Sequence, residues 1–226
     1  MLTAIIVAAG SSKRIGFDKL SASIAGKPVL QHTVEAFERT ASVEEIVIVS
    51  RADRLSEFQD MLRFLTKVTA IIPGGEHRHN SVEAGLRRVA LGARYVAVHD
   101  GARPLITPIQ IEEVFQQAQV HEAASLAEPM SDTLKRANQE LMVDGSIDRH
   151  QLYAMQTPQI FERFLLEQAY NAVSTAGWRV TDEVSAVELL GRKVKLVLST
   201  DVNFKITYER DLQLAETVLL ARQGRN

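Results

Sequence analysis

Two apolar runs in this chain end in small and charged residues, and the chemistry is concentrated there. The first, Ala4 to Val7, leads into Ala8-Ala9-Gly10-Ser11-Ser12-Lys13-Arg14-Ile15-Gly16, with Asp18-Lys19 close behind. A small-residue turn leaving the carboxyl end of a buried strand exposes backbone N–H groups, and such groups form a nest for anions. Ala8, Ala9, Gly10, Ser11 and Ser12 are therefore candidates for cradling a phosphate. The P-loop spacing is not met, because five residues separate Gly10 from Gly16 and Phe17 follows. The dinucleotide fingerprint is not met either, since Gly10, Ser12 and Arg14 do not give its glycine pattern. What remains is a turn with the cations Lys13, Arg14 and Lys19, which suits a triphosphate better than a single phosphate ester. A solvated basic turn is the plain alternative, and the location at the mouth of the first strand favours the phosphate reading.

The second run, Tyr95 to Val98, continues into His99-Asp100-Gly101-Ala102-Arg103-Pro104. Ligands of parallel sheets bind at the carboxyl ends of the strands, so Asp100 is expected to face the same crevice as Gly10. An aspartate beside a polyphosphate most economically holds Mg2+ or another divalent cation, a hard ion that uses one or two carboxylates. The competing role for Asp100 is a turn former before Gly101. Arg103 either pairs with it or grips a second phosphate. His99 is expected as a packed or hydrogen-bonded imidazole rather than a catalytic one.

Elements that could position these groups follow from the hydrophobic pattern. Short apolar runs, Ala4 to Val7, Glu45 to Val49, Val68 to Ile72, Tyr95 to Val98, Ala123 to Ala127 and Val194 to Leu198, predict strands buried on both faces. Amphipathic stretches at Pro28 to Glu38, Leu55 to Phe64 and Val82 to Val89 predict intervening helices. That alternation implies an α/β fold, a mostly parallel twisted sheet with helices on both faces. Thr107, Pro108 and Gln110 mark a capped helix start, and Gly177 marks the end of the helix after Phe161. From Glu128 to Arg149 the chain turns polar and turn-rich, which predicts a functional flap or an arm packed on a partner.

Composition narrows the function classes. The chain has 226 residues, 46% of them hydrophobic, enough for one domain over residues 1–226. Lys and Arg number 26 against 28 Asp and Glu, so no global field recruits nucleic acid or anionic lipid. The absence of cysteine removes disulfides, thiolate metal sites and a cysteine nucleophile. No apolar run is long enough to span a bilayer and no signal-peptide order is visible, so a cytoplasmic location is expected.

Taken in order, several blocks form a family pattern. They are Ala8-Ala9-Gly10 with Arg14 and Lys19; Gly74-Gly75 with Arg78 and Ser81-Val82; His99 to Pro104; Asp132-Thr133; Asp148-Arg149 with Gln156-Thr157-Pro158-Gln159; Thr181-Asp182-Glu183; and Asn203 to Thr207. The chain resembles the 2-C-methyl-D-erythritol 4-phosphate cytidylyltransferases over nearly its whole length. The glycine loop is shared with many nucleotidyltransferases; the Asp-Gly-Ala-Arg-Pro and Gln-Thr-Pro-Gln blocks are more specific. The resemblance implies a Rossmann-like nucleotidyltransferase fold with a protruding β-arm, residues 129–150, exchanged between subunits of a homodimer. It implies that Arg14 and Lys19 act on the CTP phosphates and that Arg149 and Lys205 position a sugar-alcohol phosphate. Thr133, Thr157 and Thr181 are implied substrate contacts, with Arg149 and Thr157 entering from the other subunit. Gly74, Gly75 and Ser81 are implied readers of the cytosine, with Gly101 also on the nucleotide side. One departure is that the lysine stands in Phe17-Asp18-Lys19-Leu20; Lys19 is preferred to Lys27, which reads as part of a turn into the helix from Pro28.

The implied reaction needs no covalent enzyme nucleophile, because a phosphate oxygen of the acceptor attacks the α-phosphorus of CTP and expels pyrophosphate. The protein must align two mutually repelling anions and neutralise the charge that builds between them. Arg14, Lys19 and Mg2+ on Asp100 would serve the triphosphate, and Lys205, Arg103 and Arg149 the second phosphate. Reading cytosine requires accepting from its amine and donating to its carbonyl, which backbone groups near Gly74-Gly75 and Ser81 can do. Ser81 is also expected to cap the helix beginning near Val82. Ribitol or ribulose 5-phosphate is an alternative acceptor, and a CTP sensor without chemistry is an alternative of another class. The second anion set, Arg149 with Lys205, argues against a sensor. Asp201 is a possible second metal ligand or a turn residue.

Overall fold

The computed structural model describes residues 1–10 and 18–224. The first half runs β1 (Leu2–Ala8), β2 (Ser23–Ile24), β3 (Lys27–Pro28), α1 (Val29–Arg39), β4 (Val43–Ser50), a 3-10 turn (Ala52–Arg54), α2 (Leu55–Leu62), β5 (Val68–Pro73), α3 (Arg78–Arg88) and β6 (Tyr95–Asp100). The second half runs α4 (Pro108–His121), β7 (Ala123–Pro129), β8 (Leu134–Ala137), β9 (Val143–Ile147), β10 (Tyr153–Glu162), α5 (Arg163–Ala176), α6 (Glu183–Glu188), β11 (Lys195–Leu198) and α7 (Glu209–Gln223).

One sheet carries the order β11-β7-β10-β6-β1-β4-β5. The pairs of β1 with β4 and β6, of β4 with β5, and of β11 with β7 are parallel. Only β10 runs against its neighbours in this sheet, antiparallel to both β6 and β7. The mostly parallel α/β arrangement expected from the apolar runs is thus present, and those runs lie in strands of the sheet, except that Val194 precedes β11 by one residue. Side-chain alternation along β1 divides the core: Leu2, Ala4, Ile6 and Ala8 pack with α1, α2, α4 and α7, whereas Ile5 packs with α3, α5 and α6. Both faces of the sheet are therefore covered by helices.

Local punctuation explains several helix ends. Thr107 accepts from the Gln110 N–H while the Gln110 side chain accepts from the Thr107 N–H, a reciprocal cap with Pro108 at the first helical position. Gly177 closes α5 at φ 65°, a left-handed conformation that glycine adopts without a Cβ penalty.

Three expectations need correction. The helix expected from Val82 begins at Arg78, with His77 as its N-cap, so Ser81 lies inside α3 and caps nothing. The apolar period starts only at Val82 because the first turn, Arg78-His79-Asn80, is polar. The Gln-Thr-Pro-Gln block sits in β10, a strand absent from the sequence reading; its register shifts between Met155 and Gln159, where polar residues interrupt any apolar run. The turn-rich segment is only partly irregular: β7 extends to Pro129, and β8 and β9 pair antiparallel in a separate two-stranded sheet. Among the described residues, no helix is long and apolar enough to cross a membrane.

Candidate active site

The site grows from the carboxyl ends of β1 and β6, which are adjacent parallel strands with Val7 in register with Asp100. Gly101 N–H donates to the Val7 carbonyl at 2.9 Å, and Thr33 on α1 donates to the Gly101 carbonyl at 2.9 Å. A Cβ on Gly101 would lie 3.0 Å from Leu30 Cδ1 and 3.2 Å from the Val7 oxygen, so a side chain there would press on the end of β1 and on α1. Ala8 is buried at the end of β1, Ala9 is half-buried and Gly10 is exposed. Ser11, Ser12 and Arg14, with Lys13, lie outside the described residues.

The Gly74-Gly75 turn after β5 closes on the same end of β1. A Cβ on Gly74 would fall 2.6 Å from Ser81 Oγ and 2.7 Å from Ala9 Cβ, and one on Gly75 would fall 2.4 Å from Asn80 Cβ. Gly75 N–H donates to Ser81 Oγ at 3.2 Å, and that hydroxyl donates to the His77 carbonyl at 3.2 Å. Ser81 thus holds the turn against α3 from within the helix. The turn's backbone is packed against Ala9, just past the end of the first strand.

Asp100 is the electrostatic centre. Its side chain is only 12% exposed and faces three cations: Lys205 Nζ at 2.8 Å, Arg78 Nε at 3.4 Å and Arg103 Nε at 3.8 Å. Burial works to raise its pKa, but Lys205, Arg78 and Arg103 together overcome that and hold the carboxyl well below its ordinary range. Arg103 is tied by a donation to the Asn203 carbonyl at 2.8 Å, and its pKa is lowered because burial outweighs the pull of Asp100. Arg78 is tied on its far side by a two-pronged pair with Glu183, at 2.5 and 2.9 Å. Lys205 is 40% exposed, so its ammonium borders solvent. Its neighbour Ile206 accepts a hydrogen bond from Lys19 Nζ at 3.1 Å, which brings the first loop's lysine to the Lys205 segment. Lys27, by contrast, is spent on Glu35 at 2.7 Å.

The Gln156-to-Gln159 block is a buried polar hub. Asp100 N–H donates to Thr157 Oγ1 at 3.1 Å, and that hydroxyl lies 3.0 Å from His99 Nδ1. The chain is satisfied when the hydroxyl donates to a neutral imidazole whose Nε2–H faces the Arg103 carbonyl at 3.3 Å. Burial pushes the His99 pKa down to about 3, consistent with that neutral form. His99 is therefore a packed, hydrogen-bonded imidazole, as expected. Asn203 donates to Gln156 Oε1 and to the Thr157 carbonyl, and Gln159 Oε1 accepts the Glu183 and Val184 N–H groups. Thr157 is buried on its own chain's Asp100 and His99, which corrects the expectation that it enters from a second subunit.

Other expected residues lie apart from this cluster. Thr181 is exposed just before α6, with its hydroxyl 3.3 Å from Ser185 Oγ. Thr133 and Arg149 flank the β8–β9 hairpin and are exposed; Arg149 donates to the Ser131 carbonyl. Among the described residues, no hydrogen bond joins either to the Asp100 cluster. Asp201 is taken by Arg222 at 2.7 Å and by the Val202 N–H, a structural role. Sequence reasoning did not assign Arg78 or Glu183 a role, although Arg78 sits within the Gly74-to-Ser81 block and Glu183 within Thr-Asp-Glu.

Among the described residues, no group of three or more His, Asp or Glu side chains could hold a metal ion. With Asp100 as the carboxylate and cations on both its oxygens, the donor set does not make a resident cage. A hard divalent ion carried on nucleotide phosphates would need only one oxygen of Asp100.

Comparisons with known proteins identify the family. The family model described as IspD: 2-C-methyl-D-erythritol 4-phosphate cytidylyltransferase matches residues 2–221. The protein of that name from Pelotomaculum thermopropionicum is 39% identical, over 99% of this chain and 96% of its own. That from Geobacillus kaustophilus is 39% identical over 98% of each. The crystal structure of 4-diphosphocytidyl-2C-methyl-D-erythritol synthase from Anaerococcus prevotii superposes with a TM-score of 0.86 at 28% identity, covering 97% of this chain and 98% of its own. The Thermus thermophilus cytidylyltransferase superposes with a TM-score of 0.80 at 28% identity, covering 95% and 97%. With its glycine turns, its cation-ringed aspartate and this near-complete match in hand, the chain belongs to the 2-C-methyl-D-erythritol 4-phosphate cytidylyltransferase family.

Proposed function

We propose that the crevice over the carboxyl ends of β1 and β6 carries the family's reaction: CMP moves from CTP to 2-C-methyl-D-erythritol 4-phosphate, leaving pyrophosphate. A phosphate oxygen of the acceptor forms the new bond to the α-phosphorus as the bond to the bridging oxygen of pyrophosphate breaks. The Gly10 turn receives the triphosphate, and the Gly74-Gly75 turn with Ser81 reads the base. Lys19, held at the Ile206 carbonyl, adds positive charge beside the phosphates, with Arg14 on the same loop. Lys205 turns from Asp100 to the acceptor phosphate, near Arg103. Mg2+ carried on the triphosphate would take one oxygen of Asp100 and spread the charge on the transferring phosphate.

The single observation that carries this reading is the convergence of Lys205, Arg78 and Arg103 on Asp100 at the mouth of β6. A cluster rich in cations and bordering solvent is what two phosphate-bearing reactants require. A homodimer completes it in our reading: Leu141, Met142 and Val143 are exposed on the β8–β9 hairpin, an apolar tip that a second copy would cover. Arg149 and Thr133 would then reach the partner's acceptor site. The cytoplasm, which supplies CTP, is the compartment this reading requires.

The test is pyrophosphate release from CTP with methylerythritol phosphate, ribitol 5-phosphate and ribulose 5-phosphate side by side. Turnover confined to the first supports the assignment. Preference for a pentitol or pentulose phosphate moves the acceptor, and CTP binding without release with any of them would leave a sensor.

A further inference from the structure

Beyond the groups expected to touch substrate, the structure holds a buried carboxylate with an exceptional setting. Glu183, the first residue of α6, is 0% exposed. Burying a carboxylate is costly unless it is paired, and Glu183 is met by the two-pronged pair with Arg78 and by donation from the Tyr170 hydroxyl at 2.8 Å. Its own N–H is fixed by Gln159 Oε1 at 3.1 Å. The fork matters because a guanidinium held by both terminal nitrogens has a defined plane, and its remaining donor, Nε, then has a defined direction. Here Nε lies 3.4 Å from Asp100 Oδ1.

The cations on Asp100 therefore fall into two kinds. Arg78 is anchored by Glu183 and Arg103 by the Asn203 carbonyl, while Lys205 is half-exposed. We propose that Glu183 is a positioning residue for the transfer: by gripping Arg78 it keeps a fixed cation on Asp100 when Lys205 turns to the acceptor phosphate. Without that grip Arg78 would lose its defined direction toward Asp100 Oδ1, and Arg103 at 3.8 Å would be the one anchored cation left as Lys205 leaves. This inference rests on the role assigned above to Lys205.

Steady-state kinetics on E183Q, R78K and Y170F, with melting temperatures, test it. Glutamine keeps the shape of Glu183 but loses the charge and one prong, and lysine is a point cation that cannot serve both carboxylates. For E183Q and R78K the expected result is a kcat lowered by about 10-fold or more, with KM for both substrates within about 3-fold of the unaltered enzyme. Y170F, which removes one donor and leaves the pair, should lower kcat by about 3-fold. A pair serving only to clamp α6 to α3 would lower the melting temperature and leave kcat of the folded protein unchanged, and that result overturns the proposal. Should E183Q and R78K fail to fold, Y170F decides alone, and an unaltered kcat there overturns it. If Lys205→Ala retains normal turnover, the reading of Lys205 fails; if Lys205→Ala is inactive while E183Q turns over normally, only the positioning role of Glu183 fails.

Discussion

The Lys205 ammonium sits 2.8 Å from Asp100 Oδ2, joining residues 105 positions apart in the chain. The pair is asymmetric: Asp100 is buried and ringed by two further cations, whereas Lys205 borders solvent. When Lys205 moves, Asp100 loses one cation of three and stays compensated by Arg78 and Arg103. The geometry suits a cation that must be stored in the free enzyme and delivered to an anionic reactant.

Removal of that ammonium is expected to lower turnover sharply without harm to the fold. Lys205→Ala should lower kcat by about 100-fold or more, the scale of losing one stabilising donor at a transferring group. Pyrophosphate release and thermal melting measure the two halves of this statement. Folded protein with near-normal turnover would remove Lys205 from the mechanism.

The shared-site arrangement predicts complementation. Arg149→Ala and Lys19→Ala homodimers should each be nearly inactive. Mixing them under conditions that exchange subunits should restore about one quarter of normal activity, because half of the randomly paired dimers then hold one intact site. Demonstrated exchange with no recovery would place Arg149 outside the partner's site.

Gly74→Ala addresses the nucleotide side. Its Cβ would fall 2.6 Å from Ser81 Oγ and 2.7 Å from Ala9 Cβ, so the turn must shift away from the first loop. The expected outcome is a KM for CTP raised by about 10-fold, with the acceptor KM little changed, as for a lost base contact. An unchanged KM for CTP would separate this turn from the base.

His99 predicts how stability depends on pH. Its folded pKa is pushed down to about 3 by burial, against an ordinary 6.5, so the unfolded chain takes a proton that the folded chain refuses. The sign follows: its contribution is full above pH 6.5 and is lost as pH falls toward 3, at up to about 1.4 kcal/mol per pH unit. His99→Gln should be less stable at pH 7 yet show a shallower loss between pH 6.5 and 4, read from urea midpoints. His32, whose burial also lowers its pKa, leaves a residual slope. Parallel pH profiles for the two proteins would contradict a buried neutral imidazole.

Much of the architecture was legible in the chain because it is encoded locally. Apolar runs at residues 4–7, 45–49, 68–72, 95–98, 123–127 and 194–198 mark strands, since a strand covered on both faces must be apolar throughout. The Thr107-to-Gln110 cap and the Gly177 stop are short-range arrangements that four or five residues specify by themselves. The candidate loops at Gly10 and Asp100 were likewise visible as glycine and charge at strand ends, while Gly74-Gly75 stood out only within the family pattern.

Contacts between distant residues decided the rest. Strand β10 is polar where it matters, because Gln156, Thr157 and Gln159 are buried by hydrogen bonds to His99, Asp100, Asn203 and Glu183 rather than by apolar packing, and no periodicity announces that. Arg78 with Glu183 lies 105 positions apart, and Lys19 with Ile206 lies 187 apart. The sequence by itself determined the apolar strands and the capped helix ends, because those depend on neighbours along the chain. Only the tertiary structure decided which charges meet, because a salt bridge is specified by positions in space, and the antiparallel β10 carries the segment that joins the two halves of the site.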